Sequence, residues 1–507
     1  MAKFLGLRGK ALRAALIWAV VMPSYILFGY NNAVGGGLLS LPSWVETFPE
    51  IDTVNTTGDT QKHNSTIQGT VMAIYTLGCF FGGINCIWLG DRLGRKRTIM
   101  LGALINTIGA VLQSSAFSLG QLTVGRLVSG IGYGHLSATA PNWQAECVGA
   151  SHRGAAVMLE GLFISAGLAI AAWVGLGLSF VPGSVSWRFP LALSLLWSLI
   201  ILATTPFVPE SPRWLVKVGR NDEAKEVLAA LEDTEATSEE VEKKVQSIEA
   251  SLHLAGQAKL SDLFHPSPLR LLHRTCLAAV VQVFMQMTGV NALSFYQATI
   301  FEQNLGLSGT ISRIMAASVF TWQTMCSPLG VFTVDRFGRR KLMMFSAIGM
   351  GVCLAITAGT ASQIQNTSST AAAAAFIFMF CFFFPIGFLG LPFLYAAEVS
   401  PLAYRVPITA ISTGTSWLFN FIVAEVTPIG FSTIGYRYFV VYAAINLFLT
   451  LPCVYLFFPE TSGRDLEEVD QIFLKTKSIF DPVSIAQTMP SNEPAKQEHE
   501  GDSSEKC

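Results

Sequence analysis

Asp91-Arg92-Leu93-Gly94-Arg95-Lys96 and Asp335-Arg336-Phe337-Gly338-Arg339-Arg340 are one charged motif written twice, once in each half of the chain. Two further pairs follow in the same order. Glu146 to Arg153 matches Glu398 to Arg405, and Pro209-Glu210-Ser211 matches Pro459-Glu460-Thr461. Each copy borders a long apolar stretch, so the chain reads as one helical bundle duplicated, the plan on which many secondary transporters place a binding site between two moving bodies.

The composition agrees with a bilayer protein. Apolar residues make up 51% and charged residues only 13%, against about a quarter charged in soluble domains. The formal net charge of −1 gives no reason to expect nucleic acid as a partner. Apolar stretches of about 20 residues, the length that crosses hydrocarbon, number twelve, six on each side of a hydrophilic linker. The predicted fold class is therefore an all-α membrane protein of twelve transmembrane helices in two six-helix halves joined by a cytoplasmic helical linker. Its expected divisions are a leading segment 1–13, a first bundle 14–208, a linker 209–272, a second bundle 273–458 and a tail 459–507.

Lys3, Arg8, Lys10 and Arg13 precede the first apolar stretch, which is too long for a cleaved signal segment and is expected to stay as a helix. Basic clusters at Arg92 to Arg97, Lys217 to Lys259 and Arg336 to Lys341 occupy alternate loops, whereas the loop over 42–66 carries only Lys62. The positive-inside rule then puts both termini in the cytoplasm. Three glycosylation sequons, at Asn55, Asn64 and Asn366, fall in loops this topology places outside. The nine cysteines show no Cys-x-x-Cys spacing and none lies in an outer loop, so neither a disulfide framework nor a metal site is expected. No cofactor is implied.

In the linker, amphipathic spacing over Asn221 to Leu231 and Ser238 to Leu252, with both charge signs alternating, predicts a solvated helical strap. The tail is expected to be disordered from Thr488 onward. The positive-inside rule explains the arginines and lysines at the bundle edge but not the carboxylates. Asp91, Glu146 and Glu210 lie within a few residues of Arg92, Arg95, Arg153 and Arg213. Asp335, Glu398 and Glu460 lie likewise near Arg336, Arg339, Arg405 and Arg464. A network of such pairs is expected to be a latch that a shift in helix packing opens.

Beyond these charges, the chain resembles the sugar porters of the major facilitator superfamily over residues 14–475, with a tone closest to fungal hexose and disaccharide porters. Phe28-Gly29-Tyr30-Asn31, Gly90-Asp91-Arg92-Leu93-Gly94-Arg95, Gly125-Arg126, Pro209-Glu210-Ser211-Pro212-Arg213, Gln286-Met287-Thr288-Gly289-Val290-Asn291, Asp335 to Arg340 and Pro459-Glu460-Thr461-Ser462-Gly463 carry the resemblance. It implies the major facilitator fold and a small neutral sugar as partner.

A sugar offers hydroxyls and an apolar ring face, so its site needs neutral amides and an aromatic plate. Gln282 and Gln286 are four apart and share a helix face, and Gly289 lets that helix loosen before Asn291. The resemblance implies Gln286 and Asn291 as sugar ligands, Gln323 and Asn420 as neighbours, Phe393 and Trp417 as aromatic positions, and Phe295 and Tyr296 as gate candidates. The plainer reading is that these amides only bond neighbouring helices. Two departures from the family pattern stand out: Met285 before Gln286, and Glu160-Gly161 where many members place Gln.

Proton-coupled members often carry Asp in the first span beside the arginine matching Arg126. Here the position is Asn31, which cannot titrate, so facilitated uniport is expected, with proton symport as the alternative. Glu160, His135 and Glu425 are the remaining ionisable residues inside spans and the other coupling candidates. His135 also reads as a satisfied core histidine. Other solutes open to this scaffold are a polyol or a quinate-like acid, and a non-transporting nutrient sensor is a further alternative. No nucleophile, metal cluster or phosphate loop suggests an enzyme. The expected location is a multi-pass position in the plasma membrane.

Overall fold

The computed structural model describes residues 4, 6–147, 153–256, 259–363, 365–464 and 466–489. The side chains of Asp91 and Arg153, and the tail beyond Met489 with Cys507, lie outside what is described. Twelve long helical spans occur among the described residues. The first six are Gly9–Val34, Gly58–Leu93, Arg95–Ser114, Leu119–Cys147, Arg153–Leu178 and Val185–Phe207. The second six are Leu271–Gln303, Gly309–Phe337, Arg339–Ala361, Thr367–Glu398, Arg405–Ile434 and Arg437–Phe457. Nine are long and apolar enough to cross a bilayer on that ground alone. The third, fourth and eighth are of similar length but more polar, because they carry Arg95-Lys96-Arg97, Arg126 with His135, and Gln323 with Asp335.

Outward-facing side chains are apolar. Phe332 is 76% exposed and Phe448 79%, values that suit lipid rather than water. Inside the bundle, glycines let helices approach backbone to backbone. A Cβ on Gly130 of the fourth span would overlap the Tyr75 carbonyl of the second, and one on Gly29 of the first would overlap the Ile164 carbonyl of the fifth.

The two halves meet along two seams, the second span against the eleventh and the fifth against the eighth. Trp173 donates through Nε1 to Thr321 Oγ1 across the fifth–eighth seam at 2.9 Å. The first helix begins at Gly9, ahead of the expected residue 14. The extra turns are held by Arg8 on Asp233 at 3.0 Å and Arg13 on Glu232 at 2.5 Å, at the end of the linker helix Asn221–Glu232. A second linker helix, Glu239–Gly256, packs on the first and also against the turn Leu402–Tyr404 of the other half. Tyr404 then donates to Asp262 at 3.0 Å. The helix Leu466–Lys475 is fastened to the second half by an ion pair of the fully buried Arg274 with Asp470 at 2.6 Å.

Replacing Gly130 by Val forces a branched side chain into the Tyr75 backbone, and overpacking of this kind costs about 1–3 kcal/mol or more. The expected outcome is a lowered melting temperature of detergent-solubilised protein, read by fluorescence size-exclusion after heating.

Candidate substrate site

The seventh span is where the backbone departs most usefully from a helix. It runs as Leu271–Met287, breaks, and resumes as Val290–Thr299. Gly289 sits at the break with φ +100°, a conformation that side chains with a Cβ resist. The break frees backbone groups that lipid cannot satisfy. Asn446 of the twelfth span donates to the Thr288 carbonyl at 2.9 Å, and Thr288 Oγ1 donates to the Met285 carbonyl at 2.9 Å. A second irregularity follows at Tyr296, with φ −130° and ψ 18° inside the helix.

Around this break the structure gathers amides. Gln286 donates to Ser416 Oγ at 2.6 Å, and Asn291 Nδ2 donates to Gln286 Oε1. The seventh and eleventh spans run side by side here, since Ser412 donates to the Ala278 carbonyl at 2.6 Å. Gln323 of the eighth span donates across the seam to Ser165 of the fifth at 3.1 Å. Several amide atoms are buried without a partner among the described residues: both ends of Gln282, Gln323 Oε1, Asn420 Oδ1, Asn32 Oδ1 and both ends of Gln297. A buried amide left unmet costs about 1–3 kcal/mol.

The aromatic plate also spans the halves. Trp417 meets Phe28 edge-on at 5.3 Å and Tyr133 at 6.0 Å, and Phe28 stacks on Tyr133 at 5.0 Å. Phe393, by contrast, is partly buried against the core of the second half. Ser416, Ser165 and Asn446 had no signal in the sequence. A lone serine or asparagine in a span becomes informative only when its partner is known.

Arg126 is 3% exposed and faces no carboxylate among the described residues. Its Nε donates to the Val71 carbonyl and a terminal nitrogen to the Met72 carbonyl, each at 3.0 Å, and it lies over the Tyr75 ring. Asn31 turns to the Tyr75 hydroxyl at 3.4 Å. His135 is held at both ring nitrogens, by the Ile131 carbonyl at 2.8 Å and Asn85 at 3.2 Å, the satisfied-core arrangement. Glu160 is 7% exposed and bonds to Tyr25. Glu425 accepts from Thr70 at 2.7 Å across the second–eleventh seam, with its other oxygen buried and unpartnered.

The duplicated charges form two matching clips, each inside its own half. In the first half Arg95 reaches Glu146 at 3.3 Å and the Gly90 carbonyl at 3.0 Å, and Ser211 Oγ donates to Glu146. Glu210 accepts from the backbone nitrogens of Arg95 and Lys96 at 3.0 and 3.1 Å. In the second half Arg339 reaches Glu398 at 2.7 Å and Asp335 at 2.9 Å, and Thr461 Oγ1 donates to Glu398 at 2.7 Å. Glu460 accepts from the nitrogens of Arg339 and Arg340 at 2.8 and 3.1 Å. Gly94 and Gly338 turn the chain with φ +86° and +85°.

Glu210 and Glu460 thus cap the N-termini of the third and ninth spans, where unpaired N–H groups and the helix dipole favour an anion. Arg92 is exposed and Arg336 lies over the Phe337 ring at 5.7 Å, while Arg95 and Arg339, the first residues of the third and ninth spans after the turns at Gly94 and Gly338, reach the glutamates. Each clip arginine thus fastens its own half, Arg95 to Glu146 and Arg339 to Glu398.

Of the sequons, Asn55 and Asn366 are exposed. Asn64 is 5% exposed, and its amide nitrogen donates to the Pro49 and Asp52 carbonyls at 3.3 and 2.8 Å. A glycan at Asn64 would have to displace both bonds, which the folded loop opposes.

With this geometry in view, comparison with known proteins is decisive. The family model for sugar (and other) transporters matches residues 16–473. The chain belongs to the sugar porter family of the major facilitator superfamily. Among similar proteins, the sugar transporter STL1 of Saccharomyces cerevisiae is 36% identical over 96% of this chain and 85% of its own length. The major facilitator superfamily transporter mfsA of Aspergillus fumigatus is 37% identical over 93% and 88%. The low-affinity glucose transporter HXT1 of S. cerevisiae is 31% identical over 92% and 83%. In structure, the proton:xylose symporter XylE bound to 6-bromo-6-deoxy-D-glucose superposes with a TM-score of 0.77 at 23% identity, covering 92% of this chain and 100% of that one. That likeness speaks for the fold alone. The sugar porter is thus an all-helical, multi-pass transporter and not an enzyme.

Burial pushes the Glu210 carboxyl above the usual range, opposed by the N–H groups of Ser211, Lys96 and Arg95. An acid raised in the fold favours folding while protonated, and its contribution falls as pH rises through the folded value. Glu210→Ala orphans the captured N–H groups and should destabilise by about 1–3 kcal/mol. Glu210→Gln keeps an acceptor and should lose less, and the gap between the two melting temperatures measures the clip.

Proposed function

We propose that this sugar porter moves a small neutral sugar, a hexose or related saccharide, by alternating access and without coupling to protons. The observation that carries the reading is the set of buried, unpartnered neutral amides on the seam between halves, beside an aromatic plate contributed by both. Amides serve hydroxyls, which both donate and accept, and they do not demand charge. Arg126 supports uniport: it donates to two carbonyls, and Asn31, which meets the Tyr75 hydroxyl beneath the arginine, cannot titrate. Relatives named as a sugar transporter and as glucose transporters agree with this solute class.

In this reading the seventh span is the moving part. Its break at Gly289 lets Gln286 and Asn291 release each other and Ser416 for sugar, while Tyr296, whose hydroxyl donates to the Ala424 carbonyl at 2.9 Å, closes one end. The two clips keep each half rigid while the seams rearrange. The positive-inside rule supports placing both termini, the linker and the clips in the cytoplasm, and the plasma membrane is the proposed location.

Proton symport is the second reading, and Glu160 favours it. A buried carboxyl whose one bond is to a phenol is an expensive residue unless it takes up a proton.

Uptake of labelled D-glucose, D-xylose and glycerol in cells lacking their own porters separates the readings. Uniport predicts equilibration that a protonophore leaves unchanged. Accumulation abolished by the protonophore overturns uniport, and Glu160→Gln should then abolish it too. For the site itself, Gln286→Ala should raise KM about tenfold, the loss expected for one well-placed polar contact, with unchanged amounts of protein in the membrane. Unchanged kinetics would remove Gln286 from the site.

A further inference from the structure

At the end of the bundle away from the clips, just beyond Tyr296, the two halves do not close on each other. They leave a cavity of about 190 Å³ with unusual walls. From the second span it is lined by Gln61, Ser65 and Gln68, and from the seventh by Tyr296, Thr299 and Gln303. Gln61, Ser65 and Gln68 fall at i, i+4 and i+7, and Thr299 and Gln303 at i and i+4, so each helix presents a polar stripe to the other. These stripes put amides and hydroxyls of both halves into one wall. Phe431 and Ser432 of the eleventh span complete the wall.

The polar groups are held but not used up. Gln61 donates to the Thr53 carbonyl at 3.0 Å and Gln68 to the Ile51 carbonyl at 3.1 Å, which fixes both side chains and leaves their oxygens as acceptors. Thr299 Oγ1 is buried and has no partner among the described residues. The floor is Tyr296, at the second irregularity of the seventh span, with its hydroxyl tied to Ala424. Amide oxygens, hydroxyls and two aromatic rings, with no lining acid or base, form a surface for a neutral polyhydroxylated molecule. The volume is of the order of a single sugar ring.

We infer that this cavity is a loading site, distinct from the Gln286 cluster, that holds a sugar or polyol against the closed Tyr296 gate before the halves open. The inference rests on the transport reading above but adds a second binding position on the same route. Solute resting there touches both halves and the residue that closes the path, so its binding energy bears directly on opening.

The test uses the full-length protein in proteoliposomes with labelled D-glucose, D-xylose and glycerol. Thr299→Val with Gln303→Leu keeps side-chain volume while removing two hydrogen-bonding groups, and Ser65→Trp fills the cavity. With the loading site present, Gln286→Ala retains a weak component of equilibrium binding that Ser65→Trp, added to it, removes. The Thr299→Val/Gln303→Leu pair raises the KM for entry about fivefold, the size of one net hydrogen bond, with kcat within about twofold. Intact kcat also reports that the paired variant folds. Binding that Gln286→Ala abolishes outright, together with an unchanged KM in the paired variant, overturns the loading site while leaving the transport reading in place. A wild-type protein that neither binds nor takes up any of the three solutes overturns the transport reading and the loading site with it.

Discussion

In hydrocarbon a polar group has no water to fall back on, and this constraint governs the whole molecule. It makes each span helical, and it requires an internal partner wherever a span is broken. Asn446 on the Thr288 carbonyl is the clearest case. The seventh span opens at Gly289 only because the twelfth supplies a donor at that level. The same accounting makes the bundle interior informative: several amides there are buried without a partner among the described residues, where buried polar groups are ordinarily paired.

A transporter must also be stiff in its halves and yielding between them. The stiffness is carried by charge and by glycine. Each clip uses one carboxylate to cap a span and one arginine to bind a neighbouring span, and the duplicated sequence yields nearly superimposable roles for Arg95 and Arg339, Glu146 and Glu398, Glu210 and Glu460. Contacts between the halves include Gln323 to Ser165, Thr70 to Glu425 and Arg313 to Ser40.

The glycines act in two ways. Gly94, Gly289 and Gly338 adopt backbone conformations that other residues resist. Gly130 and Gly29 are ordinary helical residues whose missing Cβ lets two spans touch. Only the first kind is announced by a local motif, since a positive φ is a property of the turn itself. The second kind depends on which helix lies alongside.

The number of spans, the duplication and the family were all legible in the sequence, because length of apolar run and order of motifs are one-dimensional properties. Family resemblance singled out Gln286 and Asn291, and the fold bonds them to each other and Gln286 to Ser416. The partners were not legible in the sequence. The charged motifs named Arg92, Arg95 and Arg153 as candidates, and the fold brings Arg95 to Glu146, 51 positions away. Asn64 reads as a glycosylation sequon, and only the loop fold turns its amide inward. His135 and Glu160 look alike as ionisable residues within spans. Tertiary packing satisfies the histidine at both nitrogens and sets the glutamate against a phenol. Sequence by itself determined what crosses the membrane and in what order, since that follows from transfer of each segment into lipid. Which polar groups meet was decided only when the helices packed, because hydrogen bonds act over about 3 Å between residues hundreds of positions apart.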